Sequence, residues 1–262
     1  MRLNKAIFLL YGIMAYLAFF ATITYAIGFV NGYLVPKGID DGTQSPLIFA
    51  VAVNLALLGI FGLQHSVMAR PRFKRWWTRY VPQPIERSTY VLFSSLILAA
   101  TFYFWQPITA LVWQVENPLA AAALHTSYFV GWALVFGSSF IINHFDLFGL
   151  KQVFEHAIDR RPTPPSFVVR SLYRLVRHPL MLGFLIVMWS APTMTLGHLL
   201  FSLGTTAYIF VGLRFEERDL ANDLGDQYRR YQENVPMVIP FAKGRRSGNP
   251  QSTPAVEQSP AG

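Results

Sequence analysis

The 262-residue chain is 53% hydrophobic and only 14% charged, with a mean hydropathy of +0.33. This composition excludes an ordinary soluble domain of this length and is typical of an integral membrane protein. The sequence contains no cysteine, which excludes disulfides, thiolate metal sites and cysteine nucleophiles.

Uncharged stretches predict four full membrane spans. From Ala6 to Pro36 no residue is charged, and this run is longer than the roughly 20 residues that cross about 30 Å of hydrocarbon. A secretory signal has a much shorter apolar core, so we expect a retained first span. The further predicted spans are Pro46–Met68, Ser88–Trp105 and Ala120–Phe145.

A broken hairpin follows the fourth span. Its two apolar arms are Leu180–Ala191 and Leu196–Leu213, interrupted around Pro192. The first arm has about 12 residues and reaches only about 18 Å as a helix, so it must pack against protein or begin upstream. We therefore predict an all-α, polytopic helical membrane protein with four spans, a broken transmembrane hairpin and a C-terminal amphipathic segment.

Basic residues are predicted to lie almost entirely on one side of the membrane. They precede the first span, fill the loops after the second and fourth spans, and follow the hairpin, whereas only Lys37 falls on the other side. The positive-inside rule then puts both termini in the cytoplasm, with the protein in the inner (plasma) membrane. The net charge of +8 therefore requires no nucleic acid partner. The loop with Trp76, Trp77 and Tyr80 indicates anchoring beside anionic lipid headgroups.

The sequence predicts a single domain and shows no common metal or nucleotide motif. We expect one integral membrane domain over residues 1–242, with its cofactor-binding part at about 170–241, and a disordered tail over residues 243–262. The six histidines show no HExxH or other tight metal-ligand spacing, so no metal is expected. Neither a GxGxxG turn nor a P-loop is present.

A polar cluster opens the first arm of the hairpin. Pro179 suits the first turn of a helix, and His178 is pushed out of helical geometry by the proline that follows it. The free N–H groups of this turn, at Leu180 and beyond, form with Arg177 an anion site suited to a carboxylate or phosphate. Gly183 lies on the same face as Pro179, where a missing side chain would let a ligand approach the helix.

A second polar cluster follows the hairpin. Glu216 and Glu217 are suited to an ammonium group or ribose hydroxyls, and Tyr228 and Tyr231, three residues apart, share a helix face that would line an adenine slot. A ligand with carboxylate, ammonium, ribose and purine describes S-adenosylmethionine. The alternative is that these residues are solvated helix termini that pair with one another.

The C-terminal motifs resemble a known family. RHPxxxG from Arg177, EExxL from Glu216, Tyr-Arg-Arg-Tyr from Tyr228 and the closing Val235–Pro240 resemble the signature of the isoprenylcysteine carboxyl methyltransferase-like integral membrane enzymes, over about residues 173–241. In that family a tyrosine is usual where Leu180 or Met181 stands. The resemblance implies a cofactor site for S-adenosylmethionine that also includes Tyr173.

Longer strings narrow the resemblance. Gly62–Pro71, Ile142–Leu150 and Pro192–His198 are similar to the methanethiol S-methyltransferases, a branch that is also related to the NnrU-like membrane proteins. This likeness implies methyl transfer from S-adenosylmethionine to methanethiol, giving dimethyl sulfide. Because a thiolate is the nucleophile, a base should help to ionise the thiol.

The candidate bases are His65 and His144. His144 and Asp146 are two residues apart and are expected to meet through a turn, which would orient the imidazole. Simple interfacial hydrogen bonding is the alternative for both histidines. A small, apolar acceptor requires a tight pocket, and the expected lining residues, each of which can equally serve ordinary packing, are Met68, Phe145, Phe148, Met181 and Trp189.

Three rival functions stay open at this point. The acceptor can be a prenylcysteine carboxylate or a phospholipid amine, which would need a wide lateral opening between helices. The enzyme can be a nicotinamide-dependent reductase, with Arg229 and Arg230 available for a 2′-phosphate. The protein can also be a non-enzymatic membrane protein of NnrU-like type. Binding of S-adenosylhomocysteine, of NADPH or of neither separates these functions; oligomeric state is not predicted.

Overall fold

The computed structural model describes residues 2–160 and 169–240, so the predicted tail and the domain boundary at residue 242 lie outside the described residues. The described elements are α1 Arg2–Asn31, α2 Leu47–Ala69, α3 Pro71–Trp77, α4 Gln83–Phe104, β1 Leu111–Gln114, α5 Pro118–Ile142, α6 His144–Leu147, α7 Leu150–Ala157, a 3-10 turn Ser171–Arg174, α8 Pro179–Trp189, β2 Thr193–Thr195, α9 Leu196–Leu224 and α10 Asp226–Asn234. The predicted all-α class is confirmed, with two short strands as the exception.

Four described helices are long and apolar enough to cross a membrane, namely α1, α2, α5 and α9. The protein is therefore a multi-pass membrane protein. The predicted third span corresponds to α4, which has 22 residues but buries hydroxyl side chains and packs between α1 and α2. The Ser95 hydroxyl donates to the Val91 carbonyl at 2.8 Å, so this polar group is satisfied within the helix. Helix α4 thus turns its polar side to protein.

In the described part of the chain, five long helices and the short helix α8 form a closed ring. Helix α1 packs against α4, α4 against α2, α2 against α9, α9 against α8, and α8 against α5. The ring closes where the Tyr128 hydroxyl of α5 donates to the Ile27 carbonyl of α1 at 2.5 Å. A core of buried aromatic side chains, including Phe29, Trp105 and Phe201, fills one half of the ring.

Helix α8 is too short to cross a bilayer, and it packs against α5. The short arm therefore packs against protein, which is one of the two possibilities expected from its length. The two backbones approach closely because glycine stands on both sides of the contact. A Cβ at Gly183 would lie 2.8 Å from the Gly131 carbonyl oxygen and 2.8 Å from a methyl group of Val135. The prediction that Gly183 leaves room for a ligand is wrong, because this face of α8 is filled by α5.

At one end of the bundle, two strands tie the hairpin break to the loop after α4. Strand β1 pairs antiparallel with β2, and Leu111 lies opposite Thr195. The Lys37 ammonium donates to the carbonyls of Tyr103, at 2.6 Å, and Trp105, at 2.9 Å, which satisfies acceptors at the C-terminus of α4. The Thr195 hydroxyl donates to Asp40 at 2.6 Å. We call this end of the molecule the Lys37 end.

The opposite end, which we call the Arg177 end, carries the basic loops. Arg70 at the end of α2 pairs with Asp219 of α9 at 2.9 Å. Helix α9 does not stop at Leu213, where the apolar arm ends in sequence, but continues to Leu224. Gly225, with a φ of +59°, then turns the chain back into α10. The two glutamates therefore stand on a continuous helix rather than beyond one.

Candidate functional site

The Arg177 end is organised by a buried ion pair between Arg177 and Glu217. Arg177 Nε lies 2.5 Å from Glu217 Oε1 and Nη2 lies 2.9 Å from Oε2, and the two side chains are only 9% and 13% exposed. The remaining guanidinium nitrogen donates to the carbonyls of Gln232, at 3.0 Å, and Val235. Such two-point pairing holds both groups in a fixed orientation.

Glu217 is the centre of this network. Its carboxylate also accepts from His178 Nε2 at 3.1 Å and from Gln232 Nε2 at 3.3 Å. The chain's own carboxylate therefore occupies the side-chain donors of Arg177 and His178, and the anion site expected at the start of α8 stays a prediction. For Arg177 and Glu217 the structure shows the mutual ion pair that the sequence had left open as the alternative; a direct cofactor contact by either residue stays a prediction.

The closing segment of the chain completes the network through its backbone. The Arg177 N–H donates to the Pro236 carbonyl at 2.9 Å, and the His178 N–H donates to the Met237 carbonyl at 3.0 Å. Val238 is buried against Ile209 and other residues of α9. The two ends of the hairpin therefore meet, about forty residues apart in sequence, and the C-terminal segment lies across the junction.

Glu216 differs from its neighbour in environment. Its side chain is 51% exposed, and Oε2 lies 4.0 Å from His178 Nδ1. Burial raises the pKa of Tyr173 and of Tyr228 above the ordinary tyrosine value, and the negative charge of Glu216 contributes to both shifts. Both phenols therefore stay protonated at neutral pH, and the Glu216 carboxylate is the acidic group that the site presents to solvent.

Tyr228 and Tyr231 contact each other, so no slot lies between their two rings, and that they line an adenine slot together stays a prediction. Their ring centroids are 5.8 Å apart at an interplanar angle of 64°, which is an edge-to-face contact. Tyr228 is buried, and the Tyr231 hydroxyl donates to the Tyr173 carbonyl at 2.5 Å. An aromatic base does not fit between two rings already in contact, so a ligand at this place would meet the edges of the tyrosine rings.

The side chains of the first turn of α8 point into the protein interior. Pro179 is buried, Leu180 packs against the central core, and Met181 packs against Ile209 and Leu213 of α9. A ligand contact at Leu180 would therefore come from the backbone, because the first N–H groups of a helix have no intrahelical acceptor.

His144 is buried between α1 and α5, and its tautomer follows from its partners. The Ser139 hydroxyl donates to the Phe136 carbonyl at 2.7 Å, so it accepts from His144 Nδ1 at 2.9 Å. Nε2 then accepts the Tyr16 hydroxyl proton at 2.8 Å. Burial lowers the pKa of His144, which keeps the ring neutral. Both nitrogens are engaged.

The predicted contact between His144 and Asp146 is wrong. Both residues lie on the short helix α6, where two positions differ by about 200° in direction, so their side chains point apart. Asp146 instead accepts from Gln152 Nε2 at 2.8 Å and lies 3.9 Å from Lys151 Nζ. Asp146 does not orient the imidazole.

His65 lies where α2, α4 and α9 meet. Its Nδ1 is 3.1 Å from the Ser94 hydroxyl oxygen of α4, and its ring centroid is 5.0 Å from that of Tyr90 and 6.1 Å from that of Tyr208. Tyr208 fits against α2 at Gly62, where a Cβ would lie 3.1 Å from the tyrosine ring. Within the described ranges, no hydrogen-bond partner is assigned to His65 Nε2.

The five residues expected to line one acceptor pocket are separated in the structure. Met68 and Phe148 share an apolar cluster with Tyr90, whereas Met181 packs elsewhere, on α9. Phe145 is 50% exposed on the surface of the bundle. Trp189 stands ten residues, about 15 Å, along α8 from Pro179, and its Nε1 donates to the Thr206 hydroxyl at 3.0 Å, so its place in an acceptor pocket stays a prediction.

Sequence reasoning missed the tyrosines beside His65. Tyr208 and Glu216 are eight residues apart, two turns along one side of α9, and this spacing was a usable signal once the helix was extended past Leu213. Tyr90 had no such signal, because only the packing of α4 against α2 brings it to His65. In the described parts of the chain, no three acidic or histidine side chains are grouped to hold a metal ion.

Fold and site together define a multi-pass helical membrane protein with a polar, tyrosine-lined site where its terminal hairpin closes. The chain is 56% identical over 242 residues to methanethiol S-methyltransferase 1 of Bradyrhizobium diazoefficiens, covering 92% of this chain and 85% of that protein. It is 49% identical over 239 residues to the methanethiol S-methyltransferase of Mycobacterium tuberculosis, covering 91% and 98%. The chain belongs to the methanethiol S-methyltransferase family and is a methyltransferase.

More distant similarity extends to another membrane protein. Nurim of Homo sapiens is 30% identical over 185 residues, which cover 66% of this chain and 69% of Nurim. No family model matches the chain, and no solved structure matches it. The predicted family is thus confirmed by relatives that align over nearly the whole sequence.

Proposed function

We propose that the protein transfers a methyl group from S-adenosylmethionine to methanethiol and releases dimethyl sulfide, working at the Arg177 end of the bundle. The observation that carries the proposal is the 56% identity, over 92% of the chain, to a protein named for methylation of this thiol. The hairpin junction supports it, because it supplies a polar site beside apolar helices. We assign the Arg177 end to the cytoplasm, since the basic loops gather there.

The residues at the junction fit S-adenosylmethionine. The exposed Glu216 carboxylate suits a cationic group, and the first-turn N–H groups of α8 suit a carboxylate. The ring edges of Tyr173 and Tyr231 suit the ribose and the purine of the cofactor. Arg177 and Glu217 would hold these groups in place rather than bind the ligand themselves. When bound, the cofactor supplies a methyl group on a positively charged sulfur.

The chain's own part in the reaction is to ionise and orient the thiol. His144 is poorly placed for this, because its acceptor nitrogen already takes the Tyr16 hydroxyl proton. His65 is better placed, since in the tautomer in which Nδ1 donates to the Ser94 hydroxyl oxygen its Nε2 is free to accept a proton from the thiol. The proton then passes to water. The surrounding aromatic rings exclude water from the thiolate, which keeps it reactive. The same rings hold the thiolate in line with the methyl group.

The test is direct. Detergent-purified protein given methanethiol and methyl-labelled S-adenosylmethionine should release labelled dimethyl sulfide into the headspace, and calorimetry should detect S-adenosylhomocysteine but not NADPH. Glu216→Gln should lose most of the activity, whereas Glu233→Gln, an exposed change on α10, serves as the matched control and should retain it. Label that appears only on lipid or on a prenylcysteine, with methanethiol inert, would contradict the proposed acceptor.

A further inference from the structure

An open space lies beside Gly212 on α9. Tyr208, Gly212 and Glu216 are spaced by four residues and therefore share one face of this helix. A Cβ at Gly212 would meet no atom within 4 Å. One helical turn separates this opening from the Glu216 carboxylate on one side and from the Tyr208 ring on the other.

The opening faces the inside of the ring of helices. On one flank of α9, Phe215 receives the Arg70 guanidinium of α2, with Cζ 5.1 Å from the ring centroid, and Asp219 pairs with the same arginine. On the other flank, Ile209 and Leu213 pack against α8. Gly212 lies between the flank that contacts α2 and the flank that contacts α8, on the interior side of α9.

Helices α2 and α4 supply the opposite wall. The His65 ring is in contact with Tyr208, Tyr90 and Phe61, the last at a centroid distance of 5.3 Å. The Tyr90 hydroxyl of α4 donates to the His65 carbonyl at 3.4 Å, so α4 stands beside α2 at this wall. The wall is thus apolar and aromatic, with an imidazole as its basic group.

We propose that the methyl acceptor lies in this space beside Gly212, one turn deeper than Glu216, with its sulfur at His65. The absence of a side chain at Gly212 then sets the size of thiol that the enzyme accepts. This inference rests on the proposed function and adds the acceptor's location. A bond forms between the acceptor sulfur and the methyl carbon, the bond from that carbon to the cofactor sulfur breaks with its electron pair retained there, and the thiol proton passes to His65 Nε2. Ser94 is a positioning residue for His65.

The first experiment varies the size of the opening and of the acceptor together. Gly212→Ala and Gly212→Val are compared with wild type on methanethiol, ethanethiol and 1-propanethiol, with S-adenosylhomocysteine affinity measured by calorimetry. The matched control is Gly59→Ala, because Gly59 is an exposed helix glycine of α2 that also has open space around it. Glycine-to-alanine changes in a helix are otherwise slightly stabilising, so misfolding is not the expected cause of a loss.

We expect Gly212→Ala to shift the preference further toward methanethiol by about 10- to 200-fold per methylene, the range for one methylene in a tight pocket. Gly212→Val should lose all three thiols, while cofactor affinity stays unchanged in both variants. An unchanged ranking of thiols in an active Gly212→Val protein would overturn the inference and leave the proposed function intact. Loss of S-adenosylhomocysteine binding would assign the space to the cofactor and also overturn it. A wild type without dimethyl sulfide formation would overturn the proposed function itself.

A second experiment detects the space without turnover. Because the chain has no cysteine, Gly212→Cys and Gly59→Cys each carry a single thiol. Methyl methanethiosulfonate transfers a methylthio group, the size of methanethiol, to a cysteine thiolate and releases methanesulfinate. Mass spectrometry should show modification of Gly212→Cys and slow modification of the lipid-facing Gly59→Cys. An unreactive Gly212→Cys in folded protein would show that no space for the acceptor exists there.

Discussion

Replacement of Glu217 or of Glu216 by glutamine tests which of the two residues stabilises the site and which binds the ligand. Glu217 accepts four hydrogen bonds, and Glu217→Gln leaves Arg177, only 9% exposed, without its counter-ion. Removal of one partner of a buried ion pair costs about 3 to 5 kcal/mol. We therefore expect Glu217→Gln to unfold at a clearly lower temperature in detergent, even without ligand, as followed by the fluorescence of the six tryptophans.

Glu216→Gln is the matched control, because it makes the same chemical change one residue away. The Glu216 side chain is 51% exposed and its contact with His178 is long, at 4.0 Å, so we expect an unchanged melting temperature. Loss of a hydrogen bond to a charged group costs about 1.5 to 3 kcal/mol, so S-adenosylhomocysteine should bind about 10- to 150-fold more weakly by calorimetry. A stable Glu217→Gln protein, or normal ligand affinity in Glu216→Gln, would refute this division of roles.

Three further predictions concern packing, pH and orientation. Gly183→Ala should lower the free energy of unfolding by about 1 to 3 kcal/mol through overpacking against Gly131, whereas Gly137→Ala, where a Cβ has open space, should not; equal effects in chemical denaturation would contradict this. Burial lowers the pKa of His144, so unfolding takes up a proton and stability should fall as the pH drops below about 6.5. His144→Phe should flatten this dependence in thermal scans between pH 5 and pH 8, and an unchanged slope would exclude His144 as its source. Single cysteines introduced within residues 31–45 should react with membrane-impermeant reagents only from outside intact cells, and labelling from the cytoplasmic side alone would reverse the proposed orientation.

Most of the fold could be predicted from the apolar runs, because a helix that crosses the hydrocarbon core must be long and uncharged. The predicted second arm ended at Leu213 since the counting of apolar residues stops at Arg214, yet the helix continues to Leu224. The charged residues from Arg214 onward lower the hydropathy without ending the helix, since Arg and Glu are good helix formers. The strands β1 and β2 are too short, at four and three residues, to show a period of two in sequence.

The candidate site was predictable where the chain itself brings residues together. The hairpin turns back on itself, so Arg177 and Glu217 had to meet, and they do. Contacts that depend on which way a helix is rotated were not predictable. Gly183 faces α5 instead of a ligand, and His144 is satisfied by Tyr16 on the distant helix α1. Sequence spacing fixes relative directions on one helix but not the direction in which that helix faces.

The Arg177 network can close only late in the synthesis of the chain. Arg177 and Glu217 leave the ribosome well before Gln232, whose side chain and carbonyl bond to both of them, and before Pro236, whose carbonyl accepts the Arg177 N–H. The described membrane-spanning helices all end before Gln232, so their residues are made before the junction can close. A chain interrupted before Gln232 would contain every described membrane-spanning helix and lack the contacts that Gln232 and Pro236 make with Arg177 and Glu217. Closure of the junction therefore depends on Gln232, Val235, Pro236 and Met237, which follow the last membrane-spanning helix.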